Sequence, residues 1–428
     1  MDEDIRQIVK KYGHFPAETE GVPISGKVYD EEEMMNLIKA SLEGWWTEGN
    51  WVEEFENKLK KFLKIDYVIA CNSGSSANLL AITALCSPDL GEKQLKKGDE
   101  VIAVAAAFPT TINPIIQNDL VPVFLDVSLP TYNINYKNLE KAIMKKTKAV
   151  MLAHTLGNPF NLKAVKTICK QFDLWLIEDN CDALGSKYEG KLTGTFGDLA
   201  TLSFYPAHHI TTAEGGAVIT NNAKLAKIII SLRDWGRHCW CKTGKDNTCQ
   251  KRFAWKLGNL PEGYDHKYIY SEIGYNLKMS DLHAAIGVAQ MDKLNEFIKK
   301  RKENFIKLHE KLKKFEKYII LPEATENSEP AWFGFLISMK ADKSKREDLM
   351  KFLTTKKIGT RLLFAGNIIK QPYFTNNQAI KYRVVGGLKN TDYCMNHAFW
   401  IGTCPIINDK MIQKIEEVFT EYFDKDLK

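Results

Sequence analysis

The sequence predicts an α/β protein in which a mainly parallel, seven-stranded sheet with helices on both faces is joined to a smaller C-terminal α+β domain. Three observations carry this. Between about Lys64 and Asn221, seven short β-rich runs alternate with helical stretches. The segment SDLHAAIGVAQMDKLNEFIKKRKENFIKLHEKLKKF then shows helical spacing behind a Ser-x-x-His opening. Beyond Leu321, AWFGFLISM reads as a strand, and EDLMKFLTTK and NDKMIQKIEEVFTEYF read as helices.

In chain order, the seven runs are IDYVIACNS, DEVIAVAAAF, LVPVFLDV, KAVMLAHT, FDLWLIEDN, LATLSFY and GGAVIT. A parallel sheet of this kind gathers its ligands at the carboxyl ends of its strands, so the loops after these runs are where chemistry is expected. Between Trp235 and Tyr275 the chain is rich in Gly, Lys, Cys and aromatic residues and has no period, as befits a functional loop. The expected division is an N-terminal arm over 1–50, a large domain over 51–290 with 235–275 as an insertion, and a connecting helix with a small domain over 291–428.

With 428 residues, 44% of them hydrophobic and 26% charged, the chain can bury one large core and a second, smaller one. Its net charge of +6 comes from 59 basic and 53 acidic residues spread along the chain, which speaks against nucleic acid as a partner. The opening MDEDIRQIVKKYGHF lacks the apolar core of a secretion signal, and no apolar run is long enough to span a bilayer. A cytoplasmic location without a membrane partner is therefore expected. There the nine cysteines stay reduced and need a use other than disulfides.

In VIACNSGSSANLLAITAL a strand leads through Gly74, Ser75 and Ser76 into a helix. Free backbone amides at a helix N-terminus, a glycine and two hydroxyls suit a phosphate, although an ordinary N-capped helix has the same signature. In LWLIEDNCDALGS, Asp179 ends a buried strand. Such an acid can simply cap a turn, or its carboxylate can pair with a protonated pyridine nitrogen and keep that ring an electron sink.

The succession NSGSSAN, AAAFPTTINPI with Phe108, IEDNCDALG and SFYPAHHITTAEGGAVITN resembles the DegT-type aminotransferases of nucleotide sugars, in order and across nearly the whole chain. WWTEGNWVEEFE and FWIGTCP extend the likeness. The resemblance implies the fold-type I fold of pyridoxal-phosphate (PLP) enzymes and a homodimer with active sites at its interface. It implies that Gly74, Ser75 and Ser203 hold the cofactor phosphate, Phe108 stacks on the ring and Asp179 pairs with its nitrogen. Asn276 would reach the phosphate from the neighbouring subunit.

One position departs from the aminotransferase pattern. Where those enzymes carry the lysine that binds the cofactor as a Schiff base, SFYPAHHITT has His208. An imidazole cannot make that bond, but with an ordinary pKa of about 6.5 it can serve as a general base. The substitution resembles the sugar 3-dehydratases of the family, in which pyridoxamine phosphate (PMP) condenses with a C4 ketone and the C3 hydroxyl is expelled.

The cysteines follow the spacing C-x57-C-x-C-x7-C through Cys181, Cys239, Cys241 and Cys249. Four thiolates suit a [2Fe–2S] cluster, and the same set can bind structural zinc. Cys181 is two residues past Asp179, within about 7 Å of extended chain, which would bring a cluster near the cofactor. The phrases RDWGRHCWC, NTC, KRF, GYDHKY and GYNLKMSD resemble the iron–sulfur dehydratases of CDP-4-keto-6-deoxyglucose. That likeness implies a reductive C3 deoxygenation, with an NADH-dependent flavin and iron–sulfur reductase as partner, in 3,6-dideoxyhexose biosynthesis for a surface polysaccharide such as lipopolysaccharide O-antigen. Cys71, Cys86, Cys169, Cys394 and Cys404 read as core residues.

Two other readings stand beside this one. A dehydratase without electron input would carry zinc or no metal. A non-catalytic regulator could use the same fold, but would have no need to keep Asp179, the phosphate cradle and the base position together. Trp46, Thr47 and Glu48 are candidates for the substrate side, and Arg361 for the nucleotide diphosphate.

Overall fold

A computed structural model of the chain describes residues 2–14, 20–340 and 343–425. All seven expected strands form: β1 (Tyr67–Cys71), β2 (Glu100–Val104), β3 (Val121–Leu125), β4 (Thr147–Ala153), β5 (Trp175–Asp179), β6 (Leu199–Ser203) and β7 (Gly216–Thr220). The C-terminal part supplies β8 (Ile319–Ile320), β9 (Gly334–Met339), β10 (Arg383–Val384) and β11 (Ala398–Gly402). The large sheet runs β1-β7-β6-β5-β4-β2-β3-β10. Only β7 is antiparallel to its neighbours, so the sheet is mainly parallel as expected.

Every residue of β2, β6 and β7 is buried, which is what unbroken apolar runs give in a sheet covered on both faces. The eighth strand, β10, comes from the far end of the chain. It pairs with the outer edge of β3, and the Arg383 guanidinium grips the Glu100 carboxylate at 3.0 and 2.7 Å. Two residues in KYRVVGG carry too little pattern to announce a strand.

Gly216, at the start of β7, lies against the turn that enters the helix Gly74–Leu85, here α1. A Cβ on Gly216 would fall 2.4 Å from the Ser73 carbonyl and 2.6 Å from the Gly74 nitrogen, both rigid backbone. Gly216→Ala is therefore expected to lower the midpoint of thermal unfolding, at a strain cost of roughly 1–3 kcal/mol.

The connecting helix, α2, spans Asp281–Leu312, with Ser280 as the expected N-cap accepting from the His283 amide. It buries Arg301, whose guanidinium donates to the carbonyls of Trp332, Phe333, Ala207 and His208. One buried cation thus ties the loop after β6 to the segment before β9. The small sheet, β8-β9-β11, is antiparallel. Around it Phe315, Phe335, Phe399, Ile415 and Phe419 form a core separate from that of the large sheet.

Within 235–275 the described residues hold one short turn of 3₁₀ helix, His266–Tyr268, and otherwise irregular chain, as its composition suggests. No helix among the described residues is long and apolar enough to cross a membrane. Cys71, Cys169, Cys394 and Cys404 are buried, whereas Cys86 is only partly so.

Candidate active site

The carboxyl ends of β1, β2, β5 and β6 converge on a cavity of about 590 Å³, closed from above by Phe333, Arg361, Phe364 and Trp400 of the C-terminal part. At its base the Ser73 hydroxyl caps α1 by accepting from the Ser76 amide. Gly74 must be glycine, because a Cβ there would lie 2.5 Å from Ser203 Cβ and 3.2 Å from Cys181 Sγ. The close approach leaves the start of α1, the exposed Ser75 hydroxyl and Ser203 around one small space. The donors and the positive end of the helix suit a phosphate. Ser75 Oγ meets Thr110 Oγ1 at 3.0 Å, while Ser76 is turned back onto Ser73.

Asp179 sits at the pocket wall with only 5% of its surface exposed. Its Oδ2 accepts from Asn78 Nδ2 at 2.9 Å and Thr111 Oγ1 at 2.7 Å, and its Oδ1 accepts from the Cys181 amide at 3.2 Å. Three donors fix the direction of a carboxylate that faces the cavity. Phe108, at the N-terminus of the helix Pro109–Gln117, leaves half its ring exposed over that cavity and meets Phe364 edge-on at 6.4 Å. These residues fit PLP or PMP: an anion cradle, an aromatic cover and a carboxylate at the end of a buried strand.

Of the adjacent histidines, only His208 faces the cavity; His209 is buried, its Nε2 against the Ala331 carbonyl. The His208 ring lies 5.1 Å from that of Phe333, and its Nδ1 is 3.4 Å from the Asp182 carboxylate without forming a hydrogen bond. Burial, aided by the Arg301 guanidinium, pushes the imidazole down to about 4, so it is an uncharged base at neutral pH. Burial and the nearby Asp179 raise Asp182 to about 8, so that carboxyl keeps its proton there. Asp182 and Tyr205 were missed in the sequence. Asp182 could have been noticed three residues after Asp179, but Phe333, Phe364 and Trp400 reach the site only through folding.

The cysteines divide into two places. Cys181 lines the cavity, and burial followed by Asp179 raises its thiol well above the ordinary value. In the 235–275 loop, Cys239 Sγ, Cys249 Sγ and a nitrogen of His266 lie within 4.8 Å of one another, a group that does not include Cys181. Burial opposes ionisation of Cys241, yet hydrogen bonds from Thr248 and from Cys249 and Cys239 outweigh it and bring that thiol down to about 7. Two thiols and an imidazole within reach of one another, with the readily ionised Cys241 in the same loop but outside that group, offer donors for a metal ion.

Asn276 is exposed, accepts from Lys278 Nζ at 3.0 Å and does not line the cavity of its own chain. Nor do Trp46, Thr47 or Glu48. The Glu48 carboxylate instead pairs with the buried Arg233 and accepts from Thr243. Arg361, by contrast, is at the cavity mouth.

The sequence pattern of the DegT/DnrJ/EryC1/StrS aminotransferase family matches residues 28–420. The chain belongs to this DegT-type family. The lipopolysaccharide biosynthesis protein RfbH of Salmonella typhimurium is 54% identical, covering 99% of this chain and 98% of that protein. The dTDP-4-dehydro-2,6-dideoxy-D-glucose 3-dehydratase of Saccharopolyspora spinosa is 50% identical over 94% of this chain and 86% of that one. Among solved structures, the E coli GDP-4-keto-6-deoxy-D-mannose-3-dehydratase with bound hydrated PLP has a TM-score of 0.83 at 28% identity, covering 95% of this chain and all of that one. The DegT-type chain thus has the PLP-enzyme fold expected from its sequence, with His208, Asp179 and the Gly74 cradle around one cavity.

Proposed function

We propose that this protein is a PMP-dependent 3-dehydratase of CDP-4-keto-6-deoxyglucose, working as a homodimer, in which a [2Fe–2S] cluster passes electrons from an NADH-dependent reductase during 3,6-dideoxyhexose biosynthesis. The observation that carries it is an uncharged histidine, in place of a lysine, on the wall of a cavity built for PLP or PMP. The Saccharopolyspora spinosa and E coli relatives are called 3-dehydratases of a dTDP-linked and a GDP-linked 4-keto sugar, which supports the dehydration, while the CDP base and the cluster rest on the sequence resemblance.

Gly74, Ser75 and Ser203 would hold the phosphate, Phe108 would cover the ring, and Asp179 would accept the proton of the pyridine nitrogen. Asn276 would approach the phosphate from the other subunit, and Arg361 the diphosphate of the substrate. When bound, PMP supplies an amine that condenses with the C4 ketone and a ring that stores electrons. His208 has no means of holding a cofactor covalently. Its ring lies in the cavity wall, with Nδ1 3.4 Å from the Asp182 carboxyl and the Phe333 ring packed beside it, so an uncharged imidazole there could take a proton from a reacting carbon held in the cavity.

The cluster assignment gives Cys181, Cys239, Cys241 and Cys249 to iron. The loop group of Cys239, Cys249 and His266 equally suits zinc, and that favours, as a second reading, a dehydratase without electron input. Iron, acid-labile sulfide and zinc measured in anaerobically purified protein separate the two. Two irons and two sulfides per chain support the first, and stoichiometric zinc without iron overturns it. Cys241→Ser is expected to lose the visible absorption of the cluster and all reductase-driven turnover, while the C4′ proton of bound PMP still exchanges with solvent. Full turnover in that variant would remove the cluster from the electron route.

A further inference from the structure

Asn276 is exposed and takes no part in the cavity of its own chain, yet both its backbone and its amide are held in place. On one side it is stitched to the end of the helix Ala223–Arg233. The Tyr275 amide donates to the Leu232 carbonyl at 2.6 Å and the Leu277 amide to the Arg233 carbonyl at 3.0 Å, while Asp234 forms an antiparallel bridge with Asn276 itself. On the other side it is stitched to β1. The Asn72 amide donates to the Leu277 carbonyl at 2.9 Å, and Cys71 bridges to Lys278. Asn72 immediately precedes Ser73, the cap of α1, so the backbone that carries Asn276 is tied to the entrance of the chain's own phosphate cradle.

The side chain is fixed by Lys278. The lysine is itself seated firmly: its ammonium lies 3.5 Å from the centroid of the Trp235 ring and 3.7 Å from Asp234 Oδ1, and only 8% of its side chain is exposed. From that seat Nζ donates to Asn276 Oδ1 at 3.0 Å. An ammonium can only donate, so the atom it holds is the amide oxygen. With the oxygen taken, the two Nδ2 hydrogens are what Asn276 has left to offer, and it offers them from an exposed position. An asparagine free to turn over would present its oxygen as readily, and a phosphate repels an oxygen.

We propose that Lys278 is a positioning residue: seated on Trp235 and Asp234, it holds the Asn276 amide with its N–H groups outward, as donors to the cofactor phosphate of the neighbouring subunit. The inference rests on the reading of Asn276 as the donor that crosses between subunits. The lysine removes the wrong orientation of the amide before the phosphate arrives, so binding does not have to pay for ordering it. One short segment is thereby tied to its own cradle and completes another.

The test is fluorescence titration of the full-length protein with PMP, beside size-exclusion chromatography and a thermal melt. Asn276→Ala is expected to weaken binding about 10- to 100-fold, the loss of one hydrogen bond to a charged group. Lys278→Met keeps an unbranched chain beside Trp235 but cannot donate. It is expected to weaken binding about 3- to 10-fold, as one immobilised side chain regains its freedom. Lys278→Arg keeps a donor over the ring and is expected to bind PMP as the wild type does. Added to Asn276→Ala, Lys278→Met is expected to cost nothing more, because the lysine acts through the amide. An equal further loss in that background overturns the proposal, since Lys278 would then act as a charge on its own. So does wild-type affinity in Lys278→Met, or a loss that comes with dissociation into single chains. If Lys278→Met fails to fold, Trp235→Leu serves instead: it removes the seat of the ammonium and is expected to weaken binding by a smaller factor, and no loss there overturns the proposal as well. Unchanged affinity in Asn276→Ala defeats the reading of Asn276 itself, whereas a loss in Asn276→Ala without one in Lys278→Met defeats only this inference.

Discussion

His208→Asn is expected to bind PMP with nearly unchanged affinity and to slow solvent exchange of the cofactor's C4′ proton by about 10²–10⁴-fold, the usual contribution of a general base. Asparagine keeps a polar group of similar reach beside Asp182 and Phe333 but has no basic nitrogen, so packing and binding survive while proton transfer does not. Deuterium incorporation at C4′, followed by NMR, reads the rate directly. The wild-type pH profile carries a second signature. With the imidazole pushed down to about 4 by burial and then by Arg301, His208 is an uncharged acceptor above that pH and a charged, useless one below it. The acid limb of the exchange rate is therefore expected near pH 4, well below the ordinary histidine value of about 6.5. Wild-type exchange rates in His208→Asn would move the base to another group, with Tyr205 the next candidate at the cavity wall.

Asp179→Asn is expected to weaken PMP binding about 10- to 100-fold, corresponding to the 1.5–3 kcal/mol of a hydrogen bond to a charged group. The carboxylate owes its aim to donors from Asn78, Thr111 and the Cys181 amide. An asparagine that keeps its oxygen on Asn78 and Thr111 turns its NH2 to the side of the Cys181 amide, so it loses that acceptor and the negative charge that attracts a protonated ring nitrogen. Fluorescence titration with PMP measures the loss, and a thermal melt of the unliganded protein checks that the fold persists. Native affinity in this variant would mean that Asp179 does not face the ring nitrogen.

What could be read from the sequence was what local chemistry encodes. The seven runs became strands because each is a short apolar stretch between turn residues, and such stretches suit a sheet buried on both faces. The residues of the cavity floor were legible because they follow those strands directly. Its roof was not: Phe333, Phe364 and Trp400 arrive from more distant parts of the chain, and nothing beside them announces a pocket. SFYPAHHITT held two histidines, and the resemblance pointed to the first; the structure gives the physical difference, with His208 on the cavity and His209 in the core. Glu48, expected on the substrate side, is held instead by Arg233, a partner nearly two hundred residues away that no spacing rule could supply. His266 escaped notice for a similar reason. It lies 17 positions beyond Cys249, outside any compact metal motif, and meets the thiol only because the irregular loop turns back on itself.

The short strand β10 has a consequence for how the protein is made. The outer edge of β3 offers unpaired amides and carbonyls until Arg383 and Val384 have left the ribosome, and Glu100 waits as long for its guanidinium. During synthesis the nascent chain thus carries an exposed edge on an otherwise finished sheet, the feature that most readily pairs with another nascent chain. Truncated or stalled products ending before Arg383 would be the species that chaperones must hold, and release of the complete chain would be the event that closes the sheet.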